Sequence, residues 1–271
     1  MKLQILILDS EYRDQILPIQ DDFRVVYNWK TLSQDECQSA LLISSLDWKL
    51  EEAANHEIAV LGLETCKKDH FLPCTYVIED LFSLTKQEAE RIYAREKNIP
   101  AVVIETERLL IREMSPEDID SLYLLYEDAE NTHYVEPLFS DHDKELAYIK
   151  DYNRMIYRFY DLGMWLLIHK ETGELIGRAG VEPMEHEGET VLELGYLIGR
   201  RWQRKGYATE SCKGILDYVQ HLEHYSYVDA LIEPQNLESI YFIQSLGFEK
   251  HKSDRIGKKP MERWRKILHF Q

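Results

Sequence analysis

The 271-residue chain has a formal net charge of -17 at neutral pH, and 44% of its residues are hydrophobic. This length corresponds to one large domain or two of ordinary size, and the composition is typical of a soluble globular protein with ample core material. The acidic balance argues against nucleic acid or an anionic membrane as the main partner, because both carry the same sign of charge. It is compatible with a cationic substrate, and equally with a surface that serves only solubility.

Targeting and metal-binding signals are the next classes to consider. No apolar run reaches the roughly 18 residues that suggest a membrane-spanning helix. Residues 1–9 have neither the length nor the cleavage site of a signal peptide. No CxxC pair or zinc-finger spacing occurs among the four cysteines, which are Cys37, Cys66, Cys74 and Cys212. We therefore expect a cytoplasmic protein with scattered buried thiols and no metal.

Residues 1–100 alternate short apolar segments with helical ones, which predicts a small Rossmann-like α/β domain with a parallel sheet. The strand candidates are apolar and some barely alternate, as expected where helices cover both faces. They lie at residues 3–8, 24–27, 40–43, 58–62 and 75–78. Helices are predicted around residues 47–55 and 85–97.

Residues 47–80 resemble the back half of a haloacid-dehalogenase-like domain. The nucleophile motif of that family has two aspartates, separated by one residue, after the first strand. Here the first strand ends Leu8-Asp9-Ser10-Glu11, so the second aspartate is missing and phosphatase activity is not expected. A structural or interaction role is the favoured interpretation of this half, and a phosphohydrolase or nucleotide-binding role is the alternative.

The pattern changes after Pro100, which closes the last helix of the first half. A single strand is predicted over residues 104–114. A helix should follow, with Ser115 as its N-cap and Asp118 in the capping-box position. A second helical pattern covers about residues 144–160.

The remaining segments predict a mixed sheet flanked by helices. Strands are expected at residues 164–169, 174–181, 191–198 and 227–232, and helices at 208–222 and 237–246. Gly247 ends the last of these helices, and a terminal hairpin turns around Gly257. The sequence thus predicts a two-domain α/β chain whose second domain spans residues 104–271.

The turn between the strand at 191–198 and the next helix combines glycine with cations. Arg200 and Arg201 precede Gln203-Arg204-Lys205-Gly206-Tyr207-Ala208-Thr209. The first N–H groups of a helix lack partners and its dipole is positive there, which favours a bound anion. Gly206 lets the backbone approach that anion closely. The turn is predicted to hold a phosphate, and a solvated basic turn is the alternative.

The same strand places one carboxylate on an otherwise small or apolar face. Val191, Glu193, Gly195 and Leu197 share that face. Because burying an unpaired carboxylate is costly, Glu193 should face a wet cleft or be paired, for instance with Arg178. In a cleft it would act as general base on an amine, or anchor an ammonium group.

Four segments occur in a fixed order and spacing between residues 103 and 268. They are residues 106–112, residues 173–177, Glu193-Leu194-Gly195-Tyr196 with the basic turn, and Asn236, Ser239, Gly247 and Phe248. Together they resemble the GNAT superfamily of acyl-CoA-dependent N-acetyltransferases, and most of all its ribosomal-protein alanine N-acetyltransferase-like branch. The resemblance implies a GNAT-type mixed central sheet, acetyl-CoA as cosubstrate and a primary amine as acceptor.

The resemblance also implies roles for individual residues. Glu193 is the expected general base, and Ser239 is the candidate proton donor, with helix capping or packing as its alternative use. Backbone groups near Leu197 and Ile198 should serve the pantetheine arm and the oxyanion. The pyrophosphate and the rest of the cofactor should contact Gln203, Arg204, Lys205, Gly206, Tyr207, Ala208, Thr209 and Asn236.

One position departs from the family pattern. Many members have a tyrosine seven residues after the asparagine, where it protonates the departing thiolate, and this chain has Ile243 there. An acyl-CoA-binding regulatory protein with little or no turnover is therefore the alternative. Direct attack in a ternary complex is favoured, because Cys212 lies on the core face of its helix. The acceptor would be a protein N-terminus or a small molecule, and a homodimer is compatible with the sequence.

Overall fold

A computed structural model describes residues 2–64, 73–186, 188–222 and 225–268 of the chain. Cys66 lies outside these residues. The chain divides into two compact units, Met1–Ala101 and Val102–Gln271.

The first unit is a parallel sheet with helices. Its elements are β1 Ile5–Leu8, β2 Arg24–Val26, α1 Gln34–Gln38, β3 Ala40–Ser44, α2 Asp47–Asn55, β4 Ala59–Leu63, β5 Val77–Ile78 and α3 Lys86–Glu96. The five strands lie in the order β2-β1-β3-β4-β5, and every pair is parallel. This is the flavodoxin-like doubly wound order, in which the winding reverses between β1 and β3.

The central strands of this sheet are covered on both faces. β1, β3 and β4 are buried along their whole length. Leu6 and Leu41 belong to one core, whereas Ile7 and Leu42 belong to a second one. Near-continuous apolar strands are what a parallel sheet between two layers requires, and the predicted parallel α/β class is confirmed.

The second unit is built on a large mixed sheet. Its elements are β6 Val102–Glu105, β7 Leu109–Arg112, α4 Ile119–Tyr126, α5 His142–Tyr152, α6 Arg158–Tyr160, β8 Gly163–His169, β9 Leu175–His186, β10 Glu189–Ile198, α7 Tyr207–His221, β11 Tyr227–Ile232, α8 Leu237–Ser245, β12 Glu249–Ile256 and β13 Lys259–Ile267. The eight strands lie in the order β12-β13-β11-β10-β9-β8-β7-β6. The predicted mixed sheet flanked by helices is confirmed.

The prediction of one strand over residues 104–114 is wrong. β6 and β7 are two antiparallel strands, with Glu105 opposite Leu110. In the turn between them, the Thr106 N–H donates to the Leu109 carbonyl (3.0 Å), and the Thr106 hydroxyl accepts from the Leu109 N–H (3.1 Å). No glycine or proline marks this turn, so the apolar pattern reads as continuous.

The long helix predicted for residues 144–160 forms, but it is not a regular α-helix. α5 and α6 are joined by a π-helical turn, Asn153–Tyr157. Tyr152 just before this turn and Tyr157, its last residue, are 5% and 1% exposed, so both belong to the core. A π-turn rotates the residues that follow it and is frequent near functional sites.

Candidate functional site

The parallel strands β10 and β11 are neighbours, but they pair at one register position, Glu193 with Asp229. On its other edge β10 pairs with β9 along its whole length, as far as Ile198 opposite Gly177. Within the described part of the sheet, β10 has no pairing with β11 beyond Glu193, so the alternate backbone groups of residues 194–198 that point away from β9 lie on an open edge, apart from the Ile198 carbonyl, which accepts from Asn131 and Gln203. We call the region between the carboxyl ends of β10 and β11 the crevice.

The turn that follows β10 enters the left-handed backbone region twice. Arg204 has φ 59° and Gly206 has φ 85°, one on each side of Lys205. Alternating conformations of this kind can direct successive N–H groups to one side and form an anion-binding concavity. α7 begins at the next residue, Tyr207, so the unpaired N–H groups of a 15-residue helix add to the same concavity.

A carboxylate in the first turn of α7 is neutralised by its neighbours. Glu210 accepts hydrogen bonds from the Thr106 hydroxyl (2.6 Å), the Arg108 N–H (2.7 Å) and Arg108 Nε (2.6 Å). Burial acts to raise the pKa of Glu210, but these hydrogen bonds outweigh burial and lower that pKa. Arg108 Nη1 also donates to the carbonyl of Lys205 (3.0 Å). The β6–β7 turn, which sequence reasoning missed, thus supports the basic turn and offsets its nearest negative charge.

Only part of the predicted cation cluster is available to a ligand. Arg200 and Arg201 are engaged by carboxylates, in the pairs Arg200–Asp128 (3.1 Å), Arg200–Glu130 (2.9 Å) and Arg201–Glu174 (2.8 Å). The Arg204 side chain is 92% exposed and reaches the equally exposed Glu238 only at 4.0 Å. The Lys205 ammonium lies 5.0 Å from the centre of the Trp202 ring. Arg204 and Lys205 are the cations best placed to bind an anion at the turn.

Two of the predicted cofactor contacts, Gln203 and Tyr207, have side chains that are already hydrogen-bonded within the protein. The Gln203 amide donates to Asn131 Oδ1 (2.5 Å) and to the Ile198 carbonyl (3.1 Å), which closes the turn onto the end of β10. The Tyr207 side chain is 7% exposed, and its hydroxyl lies 3.0 Å from His169 Nε2. Ligand contacts at these two positions would therefore come from the backbone. Ala208 and Thr209, which follow in the first turn of α7, are half-buried.

Glu193 lies in a row of acids that crosses three strands. It is half-buried, with Glu182 opposite it on β9 and Asp229 opposite it on β11. Asp229 is fully buried and accepts two hydrogen bonds from Arg265 (2.7 and 2.8 Å). Its charge is therefore compensated. The sequence analysis did not single out Asp229. A lone aspartate in the apolar strand YVDALI does, however, indicate a buried carboxylate that needs a partner.

The start of α8 faces the end of β10 across the crevice. The Asn236 side chain caps α8 by accepting from the Ser239 N–H (3.2 Å). The Tyr196 hydroxyl donates to Ser239 Oγ (3.1 Å), and burial raises the pKa of Tyr196 to about 12. Ile243, at the position of the family's tyrosine, is 1% exposed. Tyr196 and Ser239 are thus the hydroxyl groups that meet across this gap.

The thiol of α7 is unsuited to covalent catalysis. Cys212 is fully buried, and burial raises its pKa to about 12. A thiol in such surroundings is scarcely ionised at neutral pH. Within the described ranges there is no group of three or more His, Cys, Asp or Glu side chains arranged to hold a metal ion. None of the helices in the described ranges is long and apolar enough to cross a membrane.

Comparison with known families bears directly on this unit. The model of the acetyltransferase (GNAT) domain matches residues 108–249, just over half of the chain. The chain belongs to the GNAT acetyltransferase family. The resemblance drawn from the four sequence segments is confirmed, and the protein is an acyltransferase.

Relatives of this GNAT domain match over the same part of the chain. A protein of Bacillus licheniformis named as an uncharacterized N-acetyltransferase, p20, is 33% identical over 152 residues, covering 54% of this chain and 81% of the relative. The ribosomal protein uS5 alanine N-acetyltransferase of Escherichia coli (strain K12) is 29% identical over 165 residues, covering 59% of this chain and 84% of the relative.

A solved structure shares the fold. The microcin C7 self immunity acetyltransferase MccE, in complex with acetyl-CoA and AMP, is similar with a TM-score of 0.51 and 12% sequence identity. The similarity covers 60% of this chain and 93% of that chain. At this identity the likeness speaks for the fold alone.

Proposed function

We propose that the GNAT domain, residues 104–271, is an acetyl-CoA-dependent N-acetyltransferase that acts on a primary amine by direct attack in a ternary complex. The acceptor would be a protein N-terminus or a small amine. One observation carries the proposal: the pairing of β10 with β11 stops at Glu193, and β10 then leads into the basic turn at the start of α7. The Escherichia coli relative, named for transfer to an alanine of a ribosomal protein, supports a protein N-terminus as one acceptor.

The donor would bind along the free edge of β10. Its diphosphate would be held by the N–H groups of residues 206–209 together with Lys205 and Arg204. The amides of the pantetheine arm would pair with the unused backbone groups of residues 194–198, much as an extended peptide adds to a sheet edge. The N–H of Ile198 would then stabilise the thioester oxygen as it gains negative charge. The Leu197 N–H, also expected in this role, points toward Arg178 on β9, because the Gly199 N–H two residues on donates to the Ile176 carbonyl of the same ladder. Asn236, the cap of α8, would contact the cofactor from the other side of the crevice.

Glu193 would take the proton that the ammonium group must lose. The free amine nitrogen then attacks the thioester carbon, the N–C bond forms and the C–S bond breaks. An α-amino group has a pKa of about 7.7–8.0, so a carboxylate base needs to supply only modest help. Overall, the ammonium gives up two protons, one of which ends on the thiol of coenzyme A and one in solvent.

Ser239 would protonate the departing thiolate. Its oxygen accepts from the Tyr196 hydroxyl, which leaves the serine's own hydrogen to donate elsewhere. This arrangement would substitute for the tyrosine that Ile243 replaces. The buried thiol of Cys212 supports direct attack rather than an acetyl-enzyme intermediate.

The donor site is tested with a matched pair of glycine substitutions. Gly206→Ala should weaken binding of coenzyme A about tenfold, because a non-glycine residue in the left-handed region costs about 1–3 kcal/mol and the turn will relax. Gly257→Ala imposes a similar strain at φ 60°, where an added Cβ would meet no described atom within 4 Å, and should leave binding unchanged. Calorimetry with coenzyme A measures both. Equal affinity in the two variants would contradict the donor site.

The alternative is an acyl-CoA-binding regulatory protein without turnover, and Ile243 is the observation that favours it. Release of free thiol from acetyl-CoA in the presence of a panel of primary amines separates the two. Binding of coenzyme A without amine-dependent thiol release would support the regulatory alternative.

A further inference from the structure

Glu182 and Glu193 form a pair of carboxylates on one face of the sheet. They lie directly opposite each other in the antiparallel pair of β9 and β10. Side chains at such positions share a face, with Cβ atoms about 4.5–5.5 Å apart, and two like charges there destabilise the sheet. Both side chains are half-buried. Over residues 178–184 and 191–197 this face carries one cation, Arg178, against the two carboxylates, so a cation bound between the carboxylates would offset the remaining negative charge.

The Glu182 carboxylate is held in place by a buried tyrosine. The hydroxyl of Tyr152 donates to Glu182 Oε1 and accepts from the Met164 N–H (2.7 Å). Tyr152 is 5% exposed, and burial raises the pKa of its hydroxyl well above the usual value, so it stays a donor. With one partner in β8 and one in β9, this hydroxyl fixes Glu182 relative to the sheet backbone.

Two glycines allow this arrangement. A Cβ on Gly180 would lie 1.9 Å from the Gly163 carbonyl oxygen, so β8 and β9 could not approach as they do with any other residue there. Gly180 is also opposite Gly195 on β10. The face next to the carboxylate pair therefore carries no side chain on either strand, although Met164 lies against Gly195.

A buried arginine beyond these glycines independently indicates a ligand. Arg178 is 9% exposed and shares the face of Glu182. Its Nη1 donates to the Tyr126 hydroxyl at 3.5 Å, and its positive charge acts to lower the pKa of Tyr148 against the larger, opposing effect of burial. Its Nε donates to no group among the described residues. A buried donor without an acceptor costs about 1–3 kcal/mol, and an oxygen of a bound ligand would remove that cost.

We propose that Glu182, oriented by Tyr152, binds the acceptor amine as an ammonium ion opposite Glu193. Glu182 keeps the nitrogen in place while Glu193 receives its proton. Tyr152 is a positioning residue that acts through Glu182. This inference rests on the proposed function and adds to it a preference for acceptors that are protonated at neutral pH.

Glu182→Gln tests the inference without disturbing the packing, because a glutamine oxygen can still accept from Tyr152. The probes are a protonated primary alkylamine and an uncharged arylamine, each titrated at saturating acetyl-CoA with thiol release as readout. KM for the alkylamine should rise about tenfold, as expected for loss of a charged hydrogen-bond partner, with kcat little changed. KM for the arylamine and the affinity for coenzyme A should stay as in the unmodified enzyme.

Tyr152→Phe should shift KM in the same direction, and it should also lower stability because the Met164 N–H loses its acceptor. Glu185→Gln is the matched control, since it removes the same charge from an exposed position of the same strand and should change neither KM. An unchanged KM for the alkylamine in Glu182→Gln, or an equal rise for both amines, overturns the inference and leaves the proposed function intact. Absence of turnover by the unmodified enzyme with every amine refutes the proposed function and this inference with it.

Discussion

Both units contain a parallel pair of strands with polar residues at the carboxyl ends, and only the second pair opens into a crevice. In the first unit β1 and β3 stay paired from Ile5 opposite Ala40 to Leu8 opposite Ile43. Just beyond this pairing, the Ser44 hydroxyl donates to Asp9 (2.8 Å), and Lys49 forms an ion pair with the same carboxylate. The polar groups at this edge satisfy one another, and the cavity beside them measures about 90 Å³.

In the second unit the pairing of β10 with β11 is limited to Glu193 and Asp229. Beyond that position, the backbone groups of β10 that point away from β9 have no partner strand, and the N–H groups at the start of α7 lie close to them along the chain. Parallel order alone therefore does not make a binding site. What distinguishes the second edge is interrupted pairing beside the start of a helix, and the proposed difference in function can be tested from both sides.

The largest expected effect is on the second unit. Glu193→Gln keeps the size of the side chain but removes its ability to accept a proton. We expect kcat for acetyl transfer to fall about 10²–10⁴-fold, the usual contribution of a general base. Thiol release at saturating substrates measures it, and Glu171→Gln in the exposed β8–β9 turn is the control. An unchanged kcat would remove Glu193 from the role of base.

The polar cluster of the first unit should affect stability and not acetyl transfer. Lys49→Met leaves the Asp9 carboxylate, 4% exposed, without its cation. Removing one partner of a buried ion pair costs about 3–5 kcal/mol, and the lower end applies here because Lys49 is partly exposed. Urea unfolding measures the loss.

Lys30→Met is the control for that experiment, because its ion pair with Glu52 is more exposed and should contribute at most about 1 kcal/mol. A large fall in acetyl transfer by Lys49→Met with the stability unchanged would show that the first unit acts in catalysis.

A smaller effect is expected from the hydrogen bonds that join Glu210 of α7 to Thr106 and Arg108 in the β6–β7 turn. Glu210→Gln should lower the free energy of unfolding at pH 6 by about 1–2 kcal/mol through loss of charged hydrogen bonds. The folded pKa of Glu210 is lowered, so this stabilisation is complete above the unfolded value of about 4.3 and is lost as the pH falls through the folded pKa. The difference between the two proteins should therefore shrink below about pH 4. A difference that is constant or grows toward acid would contradict the assigned pKa direction.

The smallest effect concerns the exposed cations of the turn. Arg204→Ala should raise the dissociation constant of coenzyme A about threefold, as an exposed charge contributes at most about 1 kcal/mol. Arg200→Ala should have less effect, because Arg200 is already engaged by Asp128 and Glu130. Calorimetry at low salt measures the dissociation constant of coenzyme A for both variants. A larger rise in the dissociation constant for Arg200→Ala than for Arg204→Ala would show that Arg200 contacts the phosphate.

The fold class and the family were accessible from the sequence because each depends on local patterns. The apolar strands of the first unit and the spacing from Glu193 to Phe248 required no knowledge of tertiary contacts. The β6–β7 turn was missed because Thr106 and Arg108 form it through side-chain hydrogen bonds and not through glycine or proline. The short α1 was missed because five residues are too few to show a helical period.

The candidate site was only partly accessible. The basic turn could be recognised from its residues, but the pairing of Arg200 and Arg201 with distant carboxylates could not. The opposition of Glu182 and Glu193 depends on strand register, and the hydrogen bond from Tyr152 joins residues 30 positions apart. Such contacts are set by the assembled sheet and leave no local pattern.

Every catalytic role proposed above depends on the acyl donor binding in the crevice with its diphosphate at the basic turn. A crystal structure of the full chain with coenzyme A tests it most directly. We expect diphosphate oxygens within hydrogen-bond distance of the N–H groups of residues 206–209, with the pantetheine arm along residues 194–198. Coenzyme A bound instead at the carboxyl edge of β1 and β3, or a turn that holds no ligand, would contradict it.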